Sequence, residues 1–518
     1  MRLHDYLEYR TREAPDVVFC EFGDRSLSYR EADAAANRLA NALVASGLGV
    51  GDRFAVLSKN CIEYLLVYYG ASKAGVVPVP LNFRLAPSEW SYIVNDSEAR
   101  LLVARGEFVS AIAAIRGELP KIERWIAIDA GDPEWESWDD FVADQPETSP
   151  DRVVTDAMDL YQMYTSGTTG QPKGVVLPQA SVCANITQAS TAFATVPGER
   201  ALVVAPLYHA AAGLFSFVAV QAGDTLYLQE DFNPPEVVRA LSEERISVAL
   251  LIPAMIQFCM LAVPDAAERR YDDLRVIIYG ASAIAERTLR EAVKTFRCDF
   301  IQAYGMTEVT AGATGLLAED HARALREKPE LLASAGRPIL GTEVRVVDEN
   351  DQPVPNGTVG EVLVRGPQLM RGYWNLPDTT RDTLRNGWMH TGDAGSLDDE
   401  GYLYIQDRVN DMIVSGGENI YPREIEEVLQ RHAAVADAAA IGVPDETWGE
   451  AVKVIVVLRD GASATAEEIV EFCRRDLAGY KRPRSVDFVD ALPRNPTGKI
   501  LKRTLREPYW KGKNRRVN

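Results

Sequence analysis

Between Tyr164 and Val175 the chain reads YTSGTTGQPKGV, a stretch with three glycines, four serine or threonine hydroxyls and one lysine, set between apolar segments. These residue types in one loop suit a polyphosphate. Glycine lets the backbone approach an anion closely, N–H groups and hydroxyls donate to its oxygens, and the lysine adds a cation. The strand-like LYQMY just ahead would hold such a loop at a sheet edge. It is not a Walker loop, since Lys173 is preceded by Pro172 and followed by Gly174 rather than by Ser or Thr. Taken alone, the stretch reads equally as a flexible turn.

Three further stretches follow in order. They are QAYGMTE at Gln302 to Glu308, HTGD at His390 to Asp393 with DRVNDMIVSGGENIYPREIE from Asp407, and PRNPTGKILK at Pro493 to Lys502. Singly, each is a turn with a charged residue beside it. Together, and in this order, the four resemble the adenylate-forming superfamily of acyl-CoA synthetases, luciferases and peptide-synthetase adenylation domains, over nearly the whole chain.

The resemblance implies an α/β fold: a large N-terminal domain (1–409) of two α/β subdomains plus a small β-barrel, and a small mobile α+β domain (410–518). It implies ATP-dependent joining of a carboxylic acid to a thiol through acyl-AMP. The logic is sound chemically, because a carboxylate resists nucleophiles until its oxygen belongs to a good leaving group, and the enzyme's task is to stabilise charge on phosphate. By the family pattern Thr165, Ser166, Gly167, Thr168, Thr169, Gly170 and Lys173 cradle the β- and γ-phosphates. Tyr304 stacks on adenine beside Gly280, Ala281 and Ser282, and Thr307 contacts the α-phosphate. Glu308, helped by Thr165, holds Mg2+. Asp393 takes the ribose hydroxyls with Arg408 as a second ribose or phosphate contact, and Lys499 bridges carboxylate and α-phosphate. Asn410 stands at the hinge position, which is Asp or Lys in the family; Asn tolerates unusual backbone angles, so rotation there is retained.

For the second half-reaction the resemblance places Ser415, Gly416 and Gly417 along the pantetheine tunnel of coenzyme A, with Trp448, Tyr480 and Arg482 as weaker contacts. Trp448 reads equally as a packed aromatic and Arg482 as a solvated charge. The acyl pocket is assigned Tyr208, His209, Gly213, Phe215, Ala303 and Gly305. No aspartate stands in PLYHAAAG to pair with an amino acid's ammonium, which a buried cation needs. Gly305 occupies the position where acetate-activating relatives carry Trp, so the acid should reach deeper than two carbons, and Ala303 narrows the entrance slightly. A medium- or long-chain fatty acid and a cinnamate-like aromatic acid both remain, since an apolar slot discriminates weakly per methylene. The leading reading is a carboxylic acid:CoA ligase. An acyl-AMP ligase loading a carrier protein, a luciferase-type oxygenase and a nucleotide-binding relative without turnover are the alternatives; the SGG turn favours CoA, and intact Glu308 and Lys499 argue against lost turnover.

Elements must position these residues. SLSYREADAAANRLANALVASG pairs Ser28 with Glu31 in capping-box spacing, lines Ala32, Ala36, Leu39, Ala40 and Leu43 on one helical face and stops at Gly47. RFAVLS, a helix ending near Gly75 and VVPVPL continue as alternating strand and helix, as do VALLIPA and LRVIIYGA further on. After Ala335 short β-rich pieces, TEVRVVD and GEVLVRG, take over between turns.

At 518 residues, with 47% hydrophobic residues, the chain has room for about three domain-sized units. A net charge of −20 argues against nucleic acid as a partner, because phosphate neutralisation needs clustered Lys and Arg. Six scattered cysteines show no metal-ligand spacing and suit a reducing compartment. The longest apolar run, from Val248, is too short for an integral membrane segment and contains Pro253 and Gln257. With no leader at the start, the expectation is a cytoplasmic protein; a homodimer is compatible with it.

Overall fold

The computed structural model describes residues 1–129, 131–165, 171–193, 195–282, 284, 286–408, 411–415, 418–445, 448–477, 479–494 and 500–511, the side chains at 407–408, 418–419 and 475–476 excepted. The chain divides into two compact units, one of Met1–Glu343 with Val364–Met389 and one of Val344–Leu363 with His390–Asn518.

In the first unit the helix Tyr29–Ala45 begins as its sequence dictates. The Ser28 hydroxyl accepts from the Glu31 N–H, and the Glu31 carboxylate accepts from the Ser28 N–H at 2.7 Å. Its apolar stripe packs on the helix Ile62–Ala74, which is buried along its whole length. Gly70 makes that approach possible, since a Cβ there would lie 2.8 Å from Leu39 Cδ2. The buried helix ends at Gly75 in the left-handed conformation, φ 68°.

A parallel sheet of Val77–Pro80, Arg53–Leu57, Leu101–Arg105, Arg124–Ile128 and Glu136–Ser137 forms one α/β layer. The second sheet has nine strands among the described residues. Six of them, Asp299–Tyr304, Val276–Gly280, Val248–Leu250, Arg200–Val203, Thr225–Leu228 and Val18–Phe22, are neighbours in that order and run parallel. Their continuous apolar runs fit a sheet buried on both faces. Antiparallel strands close it, Arg25–Ser28 at one edge and Thr314–Leu316 with Arg337–Pro338 at the other. The same unit holds a small antiparallel sheet of Asp159–Thr165, Lys173–Pro178 and Gly372–Tyr373.

The second unit takes up the β-rich stretch, with 390–397 running antiparallel to Leu403–Arg408. Beyond it, Glu418–Ile420, Ile413–Ser415, Gly449–Leu458, Val435–Asp445 and Ser485–Phe488 form a sheet. The helices Pro422–Leu429 and Ala466–Asp476 supply Ile425, Leu429, Ile469 and Cys473 to the core on one face. Leu505 and Tyr509 of Lys502–Trp510 pack against Ile441 and Ile455 on the other. This is an α+β arrangement with both sheet faces covered.

The apolar run from Val248 is a strand followed by the helix Pro253–Ala262, and among the described residues no helix is long and apolar enough to cross a membrane. The six cysteines are free; five are buried and Cys298 is half-buried.

Candidate active site

Ligands of open parallel sheets collect outside the carboxyl ends of the strands, where the chain must turn and backbone groups are left unpaired. Three of the parallel strands deliver sequence-predicted residues at that edge. Arg200–Val203 leads to Tyr208 and His209, Val276–Gly280 leads to Ala281 and Ser282, and Asp299–Tyr304 leads to Thr307 and Glu308. Gly280 and Ala303 are register partners, and a Cβ on Gly280 would lie 2.3 Å from the Ala303 carbonyl oxygen. Glycine is required there by backbone proximity, while the left-handed turn itself falls on Ala281, at φ 64°.

The turn carrying Thr307 and Glu308 is held rigidly. Thr310 sits at φ 67°, a conformation a β-branched residue rarely adopts, and is fully buried. Its hydroxyl donates to the Gln368 carbonyl at 2.8 Å, and the Met370 N–H donates to the Glu308 carbonyl at 2.8 Å. The Glu308 carboxylate accepts the Tyr373 hydroxyl at 2.9 Å, and the Lys173 ammonium lies 5.1 Å from the centroid of the Tyr373 ring.

Ser166, Gly167, Thr168, Thr169 and Gly170 lie outside the described residues, but the stems of their loop are placed. Thr165 pairs with Lys173 and Tyr164 with Gly174 across an antiparallel ladder. The Trp374 N–H donates to the Gly174 carbonyl at 2.7 Å. The stems are two paired strands, and the chain resumes after the loop as the strand Lys173–Pro178 rather than a helix, so an anion bound here would depend on local donors and Lys173 rather than on a helix dipole. Glu308 suits a hard cation that keeps most of its ligands from phosphate and water, as Mg2+ does, and the described residues contain no cluster of three metal-ligating side chains.

Of the residues expected at the acyl pocket, the rings of Tyr208 and His209 are 4.2 Å apart, and Phe83 meets Tyr208 edge-on at 5.4 Å. Tyr208 Oη and His209 Nε2 are out of solvent contact and have no hydrogen-bond partner among the described residues. Burial, with the Arg84 charge second, lowers the His209 pKa to about 3, so the ring is neutral at ordinary pH. His209 and Gly213 share a face of the helix Ala210–Ala222, the Gly213 N–H donating to the His209 carbonyl at 3.1 Å. Phe215 falls about 200° around the helix from Gly213, so the helix does not bring it to that face. Gly305 has a backbone reason of its own, since a Cβ there would lie 2.0 Å from the Ala311 carbonyl oxygen.

In the second unit Asp393 and Arg408 are direct register partners, and Asp393 is buried. The turn before them is pinned by Glu361, which accepts from the Gly392 N–H at 3.1 Å and meets His390 Nδ1 at 2.9 Å. Ser415 is buried and pairs with Gly449, next to the exposed Trp448. The Arg484 guanidinium lies 5.3 Å from the Trp448 ring. Tyr480 is exposed, whereas Arg482 donates to the Leu477 carbonyl at the end of Ala466–Asp476, at 3.0 Å, and so is tied to a helix terminus. Asn410, Gly416, Gly417 and Lys499 lie outside the described residues.

Sequence reasoning did not single out Tyr373, Thr310 or Arg484. GYW at Gly372 to Trp374 reads as a strand end, and Thr310 carries no signal of its left-handed backbone.

Comparison with known proteins agrees with this geometry. The AMP-binding enzyme family matches residues 7–374 and the AMP-binding enzyme C-terminal domain residues 424–499. The chain is 38% identical to the fatty acid–[acyl-carrier-protein] ligase ScoC of Streptomyces coeruleorubidus, over 97% of this chain and 95% of that protein. It is 38% identical to a feruloyl-CoA synthase of Amycolatopsis sp, over 96% and 97%. A solved Mycobacterium tuberculosis fatty acyl CoA synthetase superposes with a TM-score of 0.78 at 35% identity, covering 99% of each chain. The chain belongs to the AMP-binding, adenylate-forming enzyme family. Its class of reaction is the AMP-forming ligation of a carboxylic acid to a thiol, with ATP as co-substrate.

Proposed function

We propose that this protein is a carboxylic acid:CoA ligase acting on an apolar acid, a medium- or long-chain fatty acid or an aromatic acid. The observation that carries the reading is the convergence on Tyr373 of Lys173, from the small antiparallel sheet, and Glu308, from the turn after the strand Asp299–Tyr304. It brings a cation beside a metal-competent carboxylate, and that carboxylate lies just past the carboxyl end of the strand that ends in Tyr304, next to the strand that ends in Gly280. In this reading the loop from Thr165 to Lys173 binds the β- and γ-phosphates, Thr307 the α-phosphate, and Asp393 with Arg408 the ribose. Mg2+, held by Glu308 with Thr165, neutralises phosphate charge when bound. Lys499, on a C-terminal domain (410–518) that swings at Asn410, offsets repulsion between the carboxylate and the α-phosphate. Ser415, Gly416, Gly417 and Trp448 then receive coenzyme A, with Arg484 beside Trp448 as an added contact.

Tyr208 Oη and His209 Nε2, buried without a hydrogen-bond partner among the described residues, support a hydroxylated aromatic acid as the second reading of the substrate. A buried polar atom gains most from a ligand that brings its own partner. The test is ATP-dependent pyrophosphate release over aliphatic acids from acetate to stearate and over benzoates and cinnamates. Each acid is assayed alone, with CoA and with a carrier protein bearing its phosphopantetheine arm. Acid-dependent release with thioester formed on CoA supports the proposal. Thioester formed only on the carrier protein, or no AMP with any acid, rejects it.

A further inference from the structure

Tyr373 belongs to none of the four stretches that define the nucleotide site, yet one side chain meets both of that site's opposite charges. Its hydroxyl donates to Glu308 Oε1 at 2.9 Å, and its ring carries the Lys173 ammonium 5.1 Å from the centroid. A carboxylate accepts at two oxygens, so a donor on Oε1 fixes the plane of the group while Oε2 keeps its acceptor capacity. The ring also does something no hydrogen bond could. Two unit charges about 4 Å apart attract by about 4 kcal/mol at the effective dielectric of a protein surface, enough for Lys173 and Glu308 to pair with each other instead of with a ligand. Among the described residues they form no ion pair, and Tyr373 stands in contact with both.

The backbone makes this placement firm. Tyr373 pairs with Val175 in the antiparallel ladder, and its N–H donates to Thr380 Oγ1 at 2.9 Å. The following residue is anchored on its other side, where Trp374 Nε1 donates to the Asp96 carbonyl at 3.0 Å and the Arg53 guanidinium stacks 3.6 Å from the indole.

We propose that Tyr373 is the positioning residue of this corner: its hydroxyl presents the Glu308 carboxylate to a divalent cation carried on phosphate oxygens, and its ring keeps Lys173 from neutralising that carboxylate before a phosphate arrives. The proposal rests on the nucleotide site described under Proposed function.

The test uses the full chain and calorimetric titration of ATP, in EDTA and in graded Mg2+, beside the Mg2+ dependence of pyrophosphate release. Tyr373→Phe removes only the hydroxyl. The Mg2+ concentration for half-maximal effect should rise about 10-fold or more, as for other groups that orient a metal ligand, with ATP affinity in EDTA unchanged. Tyr373→Leu removes the ring as well, and ATP affinity in EDTA should then also fall, by roughly 3-fold. Adding Tyr373→Phe to Glu308→Gln should change nothing further, because the hydroxyl acts through that carboxylate. A wild-type Mg2+ midpoint in Tyr373→Phe, equal weakening with and without Mg2+, or an additive effect on Glu308→Gln overturns the inference while leaving the site intact. If the wild-type protein and Glu308→Gln bind ATP identically whether or not Mg2+ is present, the nucleotide site itself is misplaced and the inference goes with it.

Discussion

Gly305 offers a sharp choice between two roles, gatekeeper of the proposed acyl pocket and pivot of the turn that carries Thr307 and Glu308. A methyl group at this position would stand 2.0 Å from the Ala311 carbonyl oxygen and a carbon–oxygen contact becomes ordinary only near 3.4 Å. The carbonyl would have to retreat by roughly 1.4 Å, and it is backbone rather than a pliable side chain. Retreat strains two short hydrogen bonds of the same turn, Ala311 N–H to the Val309 carbonyl and Ala313 N–H to the Tyr304 carbonyl, both 2.8 Å. At about 1 kcal/mol for each weakened bond, or about 1–3 kcal/mol for overpacking taken as a whole, Gly305→Ala should destabilise the protein by about 2 kcal/mol. It should also displace Thr307 and Glu308, and a shift near 1 Å in a positioned group costs on the order of 10²-fold in rate. The assay is pyrophosphate release from a short, a medium and a long acid, with thermal unfolding of the same variant. All three acids should lose rate alike. A variant that keeps wild-type stability and full rate on the short acid, losing only the long one, would refute the backbone argument and restore the pocket role alone.

Lys499→Ala should abolish acyl-AMP formation by about 10²–10³-fold while thioester formation from supplied acyl-AMP falls far less; equal losses in both half-reactions count against its assigned role. His209 titrates with a folded-state pKa of about 3 against its ordinary 6.5, since burial and then Arg84 disfavour the cation. The unfolded chain therefore binds the proton first, and the stability His209 contributes is complete above pH 6.5 and lost as pH falls toward about 3. The stability difference between wild type and His209→Phe, followed by urea unfolding, should shrink by about 1.4 kcal/mol per pH unit as pH falls across the middle of that window, about pH 5.5 to 4, and a flat difference would exclude the assignment. Ser28→Ala removes the helix cap and leaves Glu31 without its hydroxyl partner, so a loss of about 1 kcal/mol is expected in the same unfolding assay, against no change if the cap is idle.

Much of this protein was legible in its residues because the signals are local. Ser28 and Glu31 announce a helix start through groups three residues apart, Gly75 closes the helix before it, and VALL and VIIYG carry the continuous apolar run of doubly covered strands. The four chemical stretches were legible for the same reason: each needs its glycines, hydroxyls and charges within a few residues of one another. Tertiary structure alone decided which distant pieces meet. It seated Tyr373 between Lys173 and Glu308, fixed Gly280 and Gly305 by the approach of Ala303 and Ala311, strained Thr310 under Gln368, and set Arg484 on Trp448. A side chain's type determines what it can bond, but a contact between residues far apart in the chain exists only once strands and turns have been ordered into sheets, and no short window of sequence encodes that order.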